Sequence, residues 1–530
     1  ENSEMTTRAL SRTATALLTL LCSLLLLGPS QADSGDLDAN FGFQGRVATS
    51  FGRVIRATCV AIQEDGKIVV GGVASGDTST AFAIRRFHPK VNLDLTFGLG
   101  GGVMTEFGPG GTVLNKLAIQ RDGKIVAAGT TYSGKSGGPD FALVHYNSDG
   151  SLDETFGSGG KVETDFFGHS DLCLAMVLQP DGRIVAAGHA FADTDAADFA
   201  VARYNSDGTL DETFGSSGKV TTDFSVLDSV VGLALGDDGK LVAAGNSFFD
   251  GDTLLARYNG DGSLDSTFGS AGKIRVNFFT SPVPNQVFVA YALVIQSDGK
   301  PVIGGHTARC VYCGNPGDWD FGLFRFNADG SLDLSFGSGG RVSTDFGGSE
   351  TCVALALQPD GKIVAGGSTD VLNVSDFAMA RYRTDGSLDR SLGSRGKVVT
   401  DFFGNVDRLN ALAIQANGMI VAAGEAWTAA GSTSGFAVAR YDSGLPIPTI
   451  TGASLRGNKL IVTGNTFDET AVLEVDGKSQ KTRRDDQTPG ERLIAKKAGL
   501  QIAPGKTVAV RVRNSTGVLS DQFTVRRPSQ

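Results

Sequence analysis

A chain of 530 residues, with 72 glycines and only five histidines, is too long for one hydrophobic core, which stops growing near roughly 250–300 residues; it must hold several domains or a repeat array. Hydrophobic residues at 41% exclude a disordered polymer, and the shortage of histidine leaves little material for a His-built metal centre. The net charge is -10; residues 446–530 carry 14 Lys and Arg against 8 Asp and Glu, a net of +6, which leaves -16 for residues 33–445 because residues 1–32 balance, and an acidic body of this kind argues against nucleic acid as a partner.

In chain order, Met5, Arg8 and Arg12 precede an apolar run from Ala14 to Leu27, then Pro29, Ser30, Gln31 and Ala32. Charge, apolar stretch and small residues in that order predict a signal peptide over residues 1–32 and an exported product, secreted, periplasmic or on the cell surface. The run is short for a membrane span of about 20 residues, and no later segment is apolar enough, so no membrane span is expected.

From residue 33 the chain repeats. LDxxFG boxes end at Gly42, Gly98, Gly157, Gly215, Gly269, Gly337 and, weakened, Gly393, a period near 58. A DGK-type turn followed by IVAAG or a variant recurs at Gly66, Gly123, Gly182, Gly239, Gly299, Gly361 and Gly418. A third, FALARY-like box opens at Phe82, Phe141, Phe199, Thr253, Phe321, Phe377 and Phe436. Each unit reads as four short strands: a hairpin around DG, the FALARY strand, and a fourth strand in LDxxFGxxGKVxTDF. With no helical periodicity the body is all-β, and four-stranded units at this period describe the blades of a seven-bladed β-propeller.

The first piece after the signal peptide is a lone fourth strand, Leu37 to Phe51, and the last unit stops after its third strand at Tyr441. The N-terminal strand therefore supplies what the last blade lacks and is expected to close the ring, which disfavours an open solenoid.

The three boxes together resemble the delta-60 repeat of bacterial proteins, an NHL-like propeller repeat, over about residues 36 to 442. The resemblance implies a propeller of exported bacterial proteins and brings no catalytic residues with it. Residues 33–445 form the propeller, and residues 446–530 are read as an Ig-like sandwich, from alternating segments such as LIVTGNTF at Leu460 to Phe467. This domain resembles IPT/TIG domains, which implies a spacer or adhesion role.

Positions that vary among repeats are free to serve a ligand. Directly after the VAAG-type strand stand Val73, Thr130, His189, Asn246, His306, Ser368 and Glu425. A ring of these would give a polar ligand site, with Glu425 as a base and the histidines as ligands or polarisers; a solvated strand end is the plainer reading. The NxDGxLD turns suggest calcium, but Arg203 and Phe214 stand where the first and last ligands of an EF-hand loop belong, so an Asx turn is preferred and neither a cofactor nor a metal is expected.

Cys59, Cys173 and Cys352 are expected in the core, whereas Cys310 and Cys313, in an insertion of the fifth unit, are a disulfide candidate. Trp319 in that loop, with the segment from Phe278 to Val289, makes the fifth blade the choice for partner contact. The repeated Arg203, Arg257, Arg325, Arg381 and Arg440, and Asp165, Asp223, Asp345 and Asp401, recur too regularly for one site and read as ion pairs or caps. The expectation is a monomeric, non-enzymatic binding or cell-surface interaction module for a protein or glycan; the alternative is a propeller hydrolase or lyase acting on a sugar or lactone at the variable face.

Overall fold

The computed structural model describes residues 34–529, leaving out 51–54, 76–78, 90–91, 134–136, 193–195, 225–226, 249–250, 277–286, 309–318, 372–373, 428–433, 486–487 and 489. The expected signal peptide over residues 1–32, Cys310, Cys313 and most of the segment from Phe278 to Val289 lie outside the described residues.

The repeats form seven four-stranded antiparallel sheets, the arrangement of a seven-bladed propeller. Sheet 3 is representative, with strands Asp171–Leu178, Ile184–Phe191, Ala197–Tyr204 and Lys219–Thr222 in that order. In sheet 7 the fourth strand comes from the start of the chain: Arg46–Thr49 pairs with Ser434–Tyr441, Arg46 opposite Ala439 and Thr49 opposite Phe436. This strand is shorter than the Leu37 to Phe51 expected, because residues 37–45 are spent on the LDxxFG turn, where Gly42 takes a φ of 55°.

The second and third strands are apolar on both faces and almost wholly buried, as Ile125–Thr131 and Asp140–Tyr146 illustrate. Seven hydrophobic clusters fill the seven junctions between neighbouring sheets, and one of them joins sheet 7 to sheet 1 through Val421, Phe436 and Val438 on one side and Ile68, Val70 and Phe87 on the other.

At one end of every junction the three sequence boxes meet in a single network. In sheet 3, Arg203 Nε lies 2.8 Å from Asp211 Oδ2, Arg183 of the hairpin turn lies 3.0 Å from the same oxygen, and Arg203 stacks 4.5 Å above Phe214. Arg203 Nη1 also donates to Gly260 O of the next sheet. The repeated arginines are thus ion pairs, as expected, but with the LDxxFG aspartate. In sheet 2 His145 replaces the arginine, its Nδ1 2.9 Å from Asp153 Oδ2.

A second junction device is the tyrosine that ends the third strand. Tyr204 is fully buried, and its hydroxyl donates to Thr164 Oγ1 of the preceding sheet at 2.8 Å; Tyr146, Tyr258, Tyr382 and Tyr441 make the same bond to Thr105, Thr222, Thr344 and Thr400. Where sheet 5 has Phe326 instead, sheet 4 has Val276 in place of the threonine, so both polar atoms are lost together. Sheet 1 has Phe87 while sheet 7 keeps Thr49, and Thr49 Oγ1 is buried without a hydrogen-bond partner.

Residues 449–526 build two further four-stranded sheets around one core that includes Leu460, Leu473, Leu493 and Val510. They meet the ring where Leu519 N–H donates to Ala416 O at 2.8 Å. Among the described residues no helix is long and apolar enough to cross a membrane.

Candidate functional site

Every first strand carries a β-bulge at one place, for example between Cys173 and Ala175 or between Leu409 and Ala411. The bulge explains the glycine of the AAG box on the second strand. At Gly188 a Cβ would sit 1.8 Å from Leu172 O, and at Gly367 1.7 Å from Thr351 O, so no other residue fits.

The skipped residues are Thr58, Asn115, Leu174, Val231, Tyr291, Val353 and Asn410. A cavity of about 160 Å³ is lined by the first strands of all seven sheets, which places it on the ring axis. A second, of about 240 Å³, adjoins it and adds Arg56 and Thr58 to the lining.

The axis has two unlike arcs. On one, Asn410 Nδ2 donates to Ala57 O at 2.8 Å, Thr58 Oγ1 to Leu114 O at 2.5 Å and Asn115 Nδ2 to Cys173 O at 2.7 Å, which links sheets 7, 1, 2 and 3 in sequence. The other presents Leu174, Val231, Tyr291 and Val353. Lys116 stands on the polar arc, where the other sheets have Cys59 or a small residue such as Ala175 or Gly232; burial pulls its amine below the ordinary lysine value. Sequence reasoning passed over these positions, although the variation at the bulge and a lone lysine among small residues were visible.

The positions singled out after the AAG box lie one strand farther out, between sheets. Thr130 Oγ1 accepts from Cys173 N–H at 3.1 Å, and His189 Nδ1 lies 2.8 Å from Ser229 Oγ of the next sheet. Asn246 exchanges two 2.9 Å bonds with the backbone of Ala290 at the next bulge. His306 stacks on Trp319 at 4.2 Å and 14°, with Tyr291 5.4 Å away.

Trp319, expected in a loop, opens a third strand, Trp319–Arg325. Val73 and Ser368 are half-buried strand residues. The position therefore serves largely as a fastener between sheets, and the contacts of His189 and His306 do not join them to one another. Burial pushes both imidazoles down to about 4, so both are neutral near pH 7.

Glu425 differs. It is buried, Arg408 Nη1 lies 3.6 Å from its Oε1, and Arg56 of sheet 1 adds a second positive charge; burial nevertheless pushes its carboxyl above the ordinary value.

At the same end as these residues, carboxylates gather in threes: Asp140, Asp165 and Asp171; Asp198, Asp223 and Asp228; Asp320, Asp345 and Glu350; Asp376, Asp401 and Asp407, each with ligand atoms within 4.8 Å of one another. Burial, opposed by the Phe166 N–H and reinforced by Asp165 and Asp140, pushes Asp171 up to about 7, and Asp407 is likewise pushed up to about 7. Asp165 and Asp401 do act as caps, accepting from Gly168 N–H at 2.6 Å and from Gly404 N–H at 2.5 Å, but neither pairs with the repeated arginines.

The NxDGxLD turns are Asx turns: Asp207 Oδ1 accepts from the Thr209 N–H at 3.0 Å and the Thr209 hydroxyl at 2.7 Å. Among the described residues no such turn gathers three carboxylates. Cys59, Cys173 and Cys352 are buried thiols, each pushed up to about 12 by burial, as core cysteines should be. At the opposite end, a cleft of about 960 Å³ between the hairpin turns of sheets 1 and 7 and the C-terminal sheets mixes Glu64, Asp65, Glu474, Asp476 and Asp521 with Arg440, Arg511 and Arg513, and so is mildly acidic.

Several solved structures are similar to this chain at low identity. A fungal alcohol oxidase of the AA5 family, in complex with copper, is similar at 13% identity over 91% of this chain and 98% of that one, with a TM-score of 0.46. A PL25 ulvan lyase is similar at 11% identity over 78% and 95%, with a TM-score of 0.41. The β-propeller domain of the Trilobed protease from Pyrococcus furiosus is similar at 11% identity over 67% and 89%, with a TM-score of 0.33. No curated protein matches the chain.

The family model described as "Domain of unknown function (DUF5122) beta-propeller" matches residues 63–97, 120–156, 179–214, 237–268, 296–336, 358–392 and 415–444. Each match starts at the first hairpin turn of a sheet, and all but the last run to or near the end of an LDxxFG box; the box belonging to the last sits at residues 37–42. Seven matches fall on seven sheets, and the chain is a β-propeller protein carrying seven DUF5122 repeats.

Proposed function

We propose that this propeller is an exported, non-enzymatic binding or cell-surface module that takes an anionic, hydroxyl-bearing group, such as the end of an acidic glycan, at the axial cavity. The observation that carries this reading is the polar arc: Lys116 and Arg56 stand beside amide and hydroxyl edges and face an apolar wall that includes Tyr291. Cavities of about 160 and 240 Å³ suit one terminal sugar or carboxylate rather than a long chain. Closure of the ring by the N-terminal strand belongs to the same reading, supported by the register of Arg46–Thr49 and by Arg440 Nη2 lying 2.5 Å from Asp38 Oδ2. So does an Ig-like, IPT/TIG-type role for residues 446–530 as spacer or adhesion module, supported by two sheets sharing one core.

Calorimetric titration of the protein with short oligouronates tests the function. Saturable binding, weakened at least tenfold in a Lys116→Met/Arg56→Gln variant whose melting is unchanged, supports it; absence of binding, or binding indifferent to both residues, defeats it. The second reading, a hydrolase or lyase, rests on Glu425, a buried carboxyl pushed up between Arg408 and Arg56. New reducing ends or unsaturated products that disappear in Glu425→Gln would replace the first reading with the second.

A further inference from the structure

The carboxylate triads ask for a different explanation from the axial cavity. Each joins three places: the residue before the phenylalanine of the FALARY-like strand, the residue that follows a fourth strand, and the residue that opens the first strand of the next sheet, or in sheet 6 the residue after it. Three oxygens within 4.8 Å of one another repel unless something positive stands between them.

Basic side chains reach these junctions, but Lys219, Lys397 and Arg46 are spent on the backbone oxygens of Asp165, Asp345 and Asp401, and among the described residues none pairs with the carboxyl of Asp171, Glu350 or Asp407. Those last three residues are 0% exposed. One oxygen of each is committed: Asp171 Oδ2 to Phe166 N–H at 2.6 Å, Asp407 Oδ2 to Phe402 N–H at 2.6 Å, and Glu350 Oε1 to Gly348 N–H at 2.8 Å and the Thr369 hydroxyl at 2.9 Å. The other oxygen of each, Asp171 Oδ1, Glu350 Oε2 and Asp407 Oδ1, is buried without a hydrogen-bond partner, and it is the atom left to face the neighbouring carboxylates.

The seven junctions supply an internal control. Where sheet 7 meets sheet 1, the equivalent residues are Gly435, Ser50 and Ile55, with no acid at all. Where sheet 1 meets sheet 2 they are Ala81, Glu106 and Thr112. Where sheet 4 meets sheet 5 Asp252 is retained and Arg275 pairs with it, while the repeat aligns Asn277, outside the described residues, and Phe288 with the other two acids. Acids are therefore complete in four junctions and depleted in three, and the one junction that keeps a buried aspartate alone brings its own cation. A role as turn caps would need only the fourth-strand acid and would not tie it to residues on two other strands.

We propose that the three triads with such an unpartnered oxygen, those of Asp171, Glu350 and Asp407, are divalent-cation sites, of calcium type, that clamp sheet 2 to 3, 5 to 6 and 6 to 7. An all-carboxylate set selects a hard cation, and acids drawn from three separate strands, one of them open to solvent, suit the larger and irregular shell of calcium better than the near-ideal octahedron that magnesium demands. The fourth-strand acids Asp165, Asp345 and Asp401 are exposed, so each site opens on the rim and can load from solvent.

The test uses the full chain stripped with EGTA and titrated with CaCl₂ by calorimetry, with melting followed in parallel. Binding of about three Ca²⁺ per chain and a rise in melting temperature with Ca²⁺ are expected from the count of such triads. Asp165→Asn, Asp345→Asn and Asp401→Asn should each remove one site, and the three together all of them; asparagine keeps a side-chain oxygen, so the caps and the fold survive. Glu106→Gln, at an incomplete junction, should leave the stoichiometry unchanged. Superimposable melts with no heat of binding, or a stoichiometry indifferent to the three asparagine variants, would overturn the assignment.

Discussion

The two ends of each sheet junction are built on opposite electrostatic principles. At the end formed by the DGK and LDxxFG turns, every buried aspartate has its own cation: Asp389 has Arg381 at 2.9 Å and Lys362 at 3.5 Å, and Asp333 has Arg325 at 2.8 Å and Lys300 at 2.9 Å. At the other end, carboxylates meet carboxylates in four junctions. The self-neutral end recurs in all seven sheets and serves the fold, whereas the end that varies carries the unbalanced charge and the axial lysine. Diversity within one ring thus separates what holds it together from what it presents.

The largest effect is expected from attacking the uniform end. Arg381→Met leaves Asp389 buried without its main partner and should cost about 3–5 kcal/mol in chemical denaturation. Gly188→Ala pushes a methyl into Leu172 O and should cost about 1–3 kcal/mol by the same measurement. Tyr204→Phe strands Thr164 Oγ1 and should cost about 1–3 kcal/mol, whereas Thr49→Val removes a hydroxyl that has no partner and should be neutral or stabilising.

On the variable end, Asp165→Asn in the presence of EGTA should change stability by no more than about 0.5 kcal/mol. If it costs as much as Arg381→Met, the division between the ends fails.

The smallest effect concerns pH. Lys124, at 2.8 Å, and Thr155 hold the Asp153 carboxyl below the ordinary range. A depressed folded value means that this stabilisation is present above the unfolded value near about 3.9 and is lost as pH falls below it. Lys124→Met, which copies Met419 of sheet 7, should move the acid unfolding midpoint slightly upward.

Period, strand number and the fragment split between the two ends were legible because LDxxFG, DGK and FALARY are local signals. What stayed hidden depends on pairing. The glycine of AAG is set by a bulge on the neighbouring strand, which no single segment reveals. His189 and Asn246 were placed on a variable position correctly, but strand order decides that they face the next sheet. Asp140, Asp165 and Asp171 were three unrelated acids until the sheet-to-sheet junction joined them; the recurrence that made Asp165 look purely structural is the same recurrence that repeats the triad.

The unpartnered hydroxyl of Thr49 marks more than a local imperfection. The seam between sheets 7 and 1 lacks the tyrosine bond, has Met419 where the other hairpins place a basic residue beside the LDxxFG aspartate, and has no carboxylate triad. Three economies at one junction make it the place where the ring breathes first. Amide hydrogen exchange should find protection lowest along Arg46–Thr49, and a protease offered the folded protein should enter there before it reaches any other blade.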